Sequence, residues 1–371
     1  MTGRSERASR GGPPEGGRDG IAGAMSRAGL MWGMDATLSG GVVRAGREAR
    51  EQFYDARGYG RTDGEGIELA PVEAAHLLYR GDLDAVDGMG FREFLTSAAC
   101  PDLPFLVYKD LRDRGFYLSP AREGWVDDPE GADLVVYPRG KGPWDDAVAH
   151  RVRVVSERAP VDAASLGEVV LAVVDEESAI TYLDTEVPAV EGSTEYDPPA
   201  GVGGDLLNDR VLVWDPPAGL YEHGFYGQPL GDGDDGIEAL QVSLVEAAFL
   251  AGEGALDLDA GEAGVLERGR AVEGERFDRR LGVYATLRER GLVPKTGYKF
   301  GADFRTYAAV ESVEELSHSE LLVRVLPPDH TFAPRDLALD VRLAGGVRKR
   351  MVFALAGEDG IEWLAVSRLT P

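Results

Sequence analysis

Between Phe300 and Arg350 the chain carries a phenol at Tyr307, an imidazole at His318 and an ammonium at Lys349. A group that takes a proton, a group that gives one and a fixed cation are the parts of a metal-free acid/base site. Each such proton transfer is worth ~10²–10⁴ in rate. An imidazole, with a reference pKa of about 6.5, is partly protonated near neutrality, whereas a phenol near 10 is a poor base unless a cation or the substrate helps it. Taken singly, each residue has a plainer reading: a surface histidine, a core tyrosine, a solvated lysine at a strand start. Composition favours a special place for Lys349, because the chain has exchanged nearly all lysine for arginine and keeps only Lys109, Lys141, Lys295, Lys299 and Lys349. A lysine kept in such a chain is expected where a compact, flexible ammonium is needed.

The elements that must position these groups follow from local pattern. Leu321 to Val325 is a β-branched strand ended by Pro327-Pro328. Pro334 near its start and Gly345-Gly346 after its end bracket Arg335 to Ala344 as a short helix. Val347 to Leu355 alternates as a final core strand, and Gly357 to Gly360 turns into Ile361-Glu362-Trp363-Leu364.

The same order of signals occurs earlier in the chain. Tyr54 and Tyr59-Gly60 recur as Tyr221 and Tyr226-Gly227, and Val72-Glu73-Ala74-Ala75 as Val245-Glu246-Ala247-Ala248. Leu111-Arg112-Asp113-Arg114-Gly115 returns as Leu287-Arg288-Glu289-Arg290-Gly291, with the glycine at the position that ends a helix. Gly131-Ala132-Asp133-Leu134-Val135-Val136-Tyr137 matches Gly301-Ala302-Asp303-Phe304-Arg305-Thr306-Tyr307. The expected fold class is α+β: two tandem copies of a mixed helix/strand domain, each ending in a small mixed β-sheet flanked by helices. The copies span 34–187 and 205–371, joined by a Pro- and Gly-rich linker at 188–204. The period is far longer than that of a solenoid. Residues 1–33 have no signal-peptide h-region and read as a disordered leader or a misassigned start, with Met34 the true beginning.

With 371 residues, 65 acidic against 39 basic, and 43% hydrophobic, the chain is a folded protein with an acid-coated surface. Acid-rich, lysine-poor composition fits a salt-in halophile, where the Debye length at about 1 M salt is only ~3 Å and self-repulsion is screened. No apolar run spans a bilayer, so the expected location is cytoplasmic. The lone Cys100 permits neither an internal disulfide nor a cysteine-based zinc site and reads as a small buried hydrophobe. No histidine pair has metal-ligand spacing, and no phosphate-binding or dinucleotide glycine motif is present. His76 aligns with Phe249 on an apolar helix and reads as core; His223 and His330 fall in loops.

The run Lys295-Thr296-Gly297-Tyr298-Lys299-Phe300-Gly301-Ala302-Asp303-Phe304-Arg305-Thr306-Tyr307, with His318-Ser319 and Val341 to Lys349, closely resembles archaeal tRNA-splicing endonuclease. The resemblance covers both repeats, and the form it matches is the halophile, tandem-repeat, homodimeric one. It implies cleavage of precursor tRNA at intron boundaries folded as a bulge-helix-bulge, without cofactor or metal, leaving a 2',3'-cyclic phosphate and a 5'-hydroxyl. It further implies Tyr307 as general base, His318 as general acid and Lys349 as the cation stabilising the phosphorane. Arg342 and Arg368 would sandwich a bulge base, a stacking that guanidinium planes make with unpaired RNA. The family usually has a polar residue, often His-Ser, where this chain has Gly345-Gly346, so no helper role is carried over there.

The first repeat keeps Tyr137 and has His150 near the His318 position, but reads Leu166-Gly167-Glu168-Val169-Val170 where Lys349 is expected. An acid in place of the cation would repel phosphate, so this half is expected to be inactive and structural. In the family an acidic loop of the non-catalytic repeat docks on the partner chain, and Asp175-Glu176-Glu177 lies at the matching turn; an acidic hairpin of a halophile is the plainer reading. Two other classes stay open: a non-catalytic RNA-binding or structural subunit of a tRNA-processing complex, and a tandem protein-interaction module. Acidity argues against RNA binding in general. Locally, however, Val341 to Met351 holds Arg342, Arg348, Lys349 and Arg350 with no carboxylate.

Overall fold

The computed structural model describes residues 35–231 and 237–371; the expectation for 1–33 lies outside the described residues. The first repeat begins with strands β1 (Asp35–Ser39) and β2 (Val42–Ala45), then helix α1 (Arg47–Ala49), which widens into a π-helix over Arg50–Asp55. Strands β3 (Arg61–Asp63) and β4 (Gly66–Leu69), helix α2 (Pro71–Arg80), strand β5 (Ala85–Val86) and helices α3 (Phe91–Leu95) and α4 (Asp102–Asp113) follow. The repeat closes with β6 (Leu118–Pro120), β7 (Leu134–Val136), β8 (His150–Ser156), β9 (Val161–Asp162), β10 (Val170–Val174) and β11 (Ile180–Glu186).

The second repeat runs β12 (Val202–Leu206), β13 (Arg210–Trp214), α5 (Ala218–Glu222), β14 (Gln228–Leu230), β15 (Ala239–Ser243), α6 (Leu244–Gly252), β16 (Leu256–Asp257), α7 (Gly261–Glu273) and α8 (Arg276–Glu289). It ends in β17 (Val293–Thr296), β18 (Phe304–Tyr307), β19 (Leu321–Leu326), β20 (Thr331–Phe332), α9 (Pro334–Gly346), β21 (Arg350–Gly357) and β22 (Gly360–Leu369).

Each repeat first forms a five-stranded sheet, ordered β3-β4-β2-β1-β5 in one and β14-β15-β13-β12-β16 in the other, with a single parallel pair at the same edge. The residues that repeat in sequence build the same device twice. Arg112 lies 3.8 Å over the Tyr59 ring and donates to the Tyr108 hydroxyl; Arg288 lies 3.9 Å over Tyr226 and donates to the Tyr284 hydroxyl. Each guanidinium also donates to the backbone ahead of its tyrosine, at Gly58 and Gly224. A cation held by two rings and a carbonyl ties helices α4 and α8 to their small sheets.

The closing strands form one ten-stranded sheet, β17-β18-β19-β21-β22-β11-β10-β8-β7-β6, in which the two halves meet edge to edge. At the seam β11 and β22 pair antiparallel, with Thr185 opposite Val366. Within their own repeats Asp184 faces Val170 and Ala365 faces Val352, so Thr185 and Val366 are equivalent positions facing each other. Helix α9 covers the seam with Leu337, Val341 and Ala344, which share a core with Leu183, Phe353 and Val366. Beside it β9 and β20, one from each repeat, form a small antiparallel pair.

Three local expectations differ from the structure. The final strand was expected to alternate, yet Met351 to Ala356 are all buried, because β21 is central and covered on both faces. Helix α9 includes Gly345 and Gly346 in its last turn, and the left-handed residue that follows is Arg348, at φ +56°. The segment at 188–204 is packed along the second repeat: Val190 is buried, and the N–H groups of Gly192, Ser193 and Thr194 donate to Arg290, Ala308 and Gly291 carbonyls. A Cβ on Gly192 would come within 2.3 Å of the Gly291 oxygen, so glycine is required there by a close backbone approach. Strand β12 already starts at Val202. An extended segment can satisfy its backbone without any apolar period.

Candidate active site

Parallel strands β19 and β21 lie side by side, Leu321 opposite Arg350, and the residues just ahead of both strands enter one cleft. His318 and Ser319 come from the loop before β19, Lys349 from the turn before β21, and Arg368 from the end of β22. Lys349 is aimed by its backbone: Arg348 takes the left-handed conformation and the Lys349 N–H returns to the Ala344 carbonyl at 3.0 Å. A bulky residue in that conformation is strained, and such strain persists where surrounding structure enforces it. Gly345 lines the mouth, and a Cβ on it would meet no protein atom within 4 Å, so its missing side chain leaves the cleft open.

The Lys349 ammonium donates to both the carbonyl and the hydroxyl of buried Ser319, and the Phe300 ring centroid is 5.7 Å away. Burial, and then the positive charge of Arg305, lower its pKa below the ordinary lysine value. His318, on the next-door residue, is exposed and so can reach a ligand. Tyr307 does not line the cleft; Thr306 and Ala308 on either side of it do. The Tyr307 ring is 6% exposed and packs with Phe225, Val293 and Val310, while the Arg305 guanidinium lies 5.6 Å from it. Arg305 is therefore a neighbour of the phenol whose charge is also felt at the ammonium, and sequence reasoning passed it over although the residue sits within the motif.

Arg342 lines an adjoining groove with Arg335 and Leu339, and the two depressions share Val341 and Arg368. Arg350 pairs with Glu186, whereas Arg305, Arg335, Arg342, Arg348 and Arg368 have no carboxylate at ion-pair distance among the described residues. Glu191, from the segment between the repeats, and Glu320, next to Ser319, are the acids that sequence reasoning missed on the cleft wall. Asp175, Glu176 and Glu177 lie at the β10–β11 turn, where Asp175 accepts from the Glu177 and Ala179 N–H groups and Glu176 pairs with Arg158. They make no hydrogen bond or ion pair to the cleft among the described residues. Among those residues no group of His, Cys, Asp and Glu could hold a metal ion.

Strand pairing corrects the comparison with the first repeat. Asp133 bridges to Val152 and Val154 as Asp303 bridges to Val323 and Val325, which makes Val152 the counterpart of Val323. Val152 faces Val170 and Val323 faces Val352, so the position of Lys349 is taken by Gly167 and that of Arg350 by Glu168. His150 lies inside β8 opposite Val136, at the place of Leu321, and a count back from the strand puts Ala147 at the place of His318. Tyr137 does correspond to Tyr307, and its hydroxyl donates to Ser119 at 3.0 Å. Counting residues gave neighbours of these positions; only the ladder register separates them.

An exposed imidazole and a held ammonium, beside guanidinium groups with no ion-pair partner among the described residues, suit an enzyme acting on a phosphate-bearing chain. The profile of the tRNA intron endonuclease catalytic C-terminal domain matches residues 277–363, and that of the tRNA intron endonuclease N-terminal domain matches twice, at 34–95 and 202–268. A tRNA-splicing endonuclease of the halophilic archaeon Haloarcula marismortui is 66% identical over 340 residues, 91% of this chain and 100% of that protein. One from Haloferax volcanii is 61% identical over 342 residues, with the same shares, and one from Methanosarcina mazei 38% over 359 residues, 90% and 98%. The chain belongs to the tRNA intron endonuclease family.

Proposed function

We propose that the second repeat cuts precursor tRNA at intron boundaries folded as a bulge-helix-bulge. The ribose 2'-oxygen attacks the adjacent phosphorus as its proton leaves toward Tyr307, and the bond to the 5'-oxygen breaks as that oxygen takes a proton from His318. A 2',3'-cyclic phosphate and a 5'-hydroxyl result. Lys349 meets the charge that grows on the non-bridging oxygens, a task in which a partly desolvated ammonium is stronger than one in water. Arg342 and Arg368 hold an unpaired base at the junction of the two grooves. The chain acts as a cytoplasmic homodimer, and Asp175, Glu176 and Glu177 dock on the partner copy.

The observation that carries this reading is the difference between repeats. His318 and Lys349 share a cleft in one, where the other has Ala147 and Gly167. Cleavage of a bulge-helix-bulge RNA in high salt with a chelator tests it. Wild type and His150→Ala are expected to cut, and His318→Ala to lose activity; the opposite pattern would remove the assignment of the active half. RNA binding without cleavage by wild type would favour a non-catalytic subunit.

A further inference from the structure

Tyr307 stands in a small apolar cluster whose other main ring is Phe225, with centroids 5.5 Å apart and planes at 65°. Phe225 itself has φ +50°, a left-handed conformation that a bulky residue rarely adopts. What holds it is Lys295, 9% exposed, whose ammonium donates to the carbonyls of Phe225 at 3.0 Å and Gly227 at 2.8 Å and pairs with Glu246 at 3.0 Å. The same ammonium lies 4.8 Å from the Phe225 ring centroid. Glu246 is fixed in turn by the N–H groups of Gly227 and Ser243.

The first repeat has the same turn and the same glutamate without either of these two residues. Gly58 N–H returns to Tyr54 as Phe225 N–H returns to Tyr221, and Gly58 has φ +62°. There the left-handed residue is the glycine such a turn favours. Ser119 faces Val135 as Lys295 faces Arg305, so serine replaces the buried lysine. Glu73 accepts from Gly60 and Ala70 N–H groups in the manner of Glu246, with no ammonium paired to it among the described residues. The first repeat thus builds the same turn with neither a buried lysine nor a phenylalanine in it. Burying an ammonium is costly, and this one is among five lysines in the chain. The tyrosines differ to match: the Tyr137 hydroxyl is caught by Ser119, whereas that of Tyr307 has no hydrogen-bond partner among the described residues.

We propose that Lys295 and Phe225 are positioning residues for Tyr307: the ammonium clamps the strained turn, and the turn presses the Phe225 ring against the phenol so that its hydroxyl is held free for the substrate. The proposal rests on the reading that Tyr307 works in cleavage. Phe225→Gly, which restores the first-repeat residue, and Phe225→Leu, which keeps apolar bulk, are to be made alone and on Tyr307→Phe. Lys295→Ser is to be made with Glu246→Gln so that no carboxylate is left buried and unpaired. Single-turnover cleavage of a bulge-helix-bulge RNA at saturating protein, together with RNA affinity and thermal melting, gives the readout.

Phe225→Gly is expected to slow cleavage about 100-fold, the scale for an ångström-size misplacement of a reacting group, with RNA affinity unchanged. On Tyr307→Phe it is expected to cost nothing further, since both changes then remove one contribution. Equal losses in both backgrounds would show a general structural role and overturn the proposal, as would a folded variant cutting within about twofold of wild type. If Phe225→Gly does not fold, Phe225→Leu decides by the same cycle. A Tyr307→Phe chain that cuts as wild type does would remove the role given to Tyr307 and this proposal together, whereas a wild-type chain that cuts nothing overturns the cleavage reading itself.

Discussion

Glu73 and His76 lie one turn apart on α2, both fully buried, and they titrate in opposite senses. Burial raises the Glu73 carboxyl from an ordinary 4.5 to about 7, against the N–H groups of Gly60 and Ala70 and the charge of Arg112. Burial lowers the His76 imidazole from 6.5 to about 4, and the charges of Arg112 and Arg80 add to it. Between 7 and 4.5 the native chain binds a proton at Glu73 that the unfolded chain does not, so stability from this group rises as pH falls. At His76 the unfolded chain binds a proton first, and stability is lost as pH falls from 6.5 toward 4. Each contribution amounts to about 2 kcal/mol between roughly pH 7.5 and 5, and in wild type they nearly cancel. His76→Phe, which installs the residue found at Phe249, removes one of the two. The Tyr59 hydroxyl then loses its partner at 3.0 Å, a cost that does not vary over this range. Urea unfolding in high salt is expected to show the variant gaining about 2 kcal/mol on acidification relative to wild type. A variant whose curve parallels wild type would refute the opposition of the two groups.

Lys349→Met is expected to lower single-turnover cleavage by about 10²–10³, the scale for removing one preorganised donor to a developing oxyanion. Because burial and Arg305 lower the lysine pKa, activity should decline on the alkaline side before an ordinary lysine would lose its charge, and Arg305→Gln should move that limb to higher pH in a pH–rate profile. Arg288→Met, which removes the cation between Tyr226 and Tyr284, should cost about 2 kcal/mol in chemical unfolding.

Much of the site was legible because its chemistry is concentrated in a few residue types. His318 and Lys349 stood out by kind, and Lys349 by the scarcity of lysine. What sequence could not give was register. His150 and Glu168 lie within a few residues of the places that Ala147 and Gly167 occupy, and only pairing through Asp133 and Asp303 tells them apart. Nor could it show that Phe225 and Lys295, seventy positions apart in the chain, meet. Fold-level signals failed where a residue's type was a poor guide to its surroundings. Gly345-Gly346 suggested a helix stop, but Arg348 takes the left-handed turn; Pro and Gly at 188–204 suggested a linker, and Gly192 within it sits against Gly291 backbone.

The seam between β11 and β22 joins two repeats as identical chains would join across a twofold axis, Thr185 facing its own counterpart Val366. In a dimer of separate identical copies, every substitution falls on both sides at once. A covalent tether makes the encounter intramolecular and permanent, and it also lets each side mutate alone. Here the first copy has neither the imidazole nor the ammonium of the second and still completes its sheet. The chain is laid out as a symmetric dimer whose symmetry is kept at its seam and not in the side chains of its two halves.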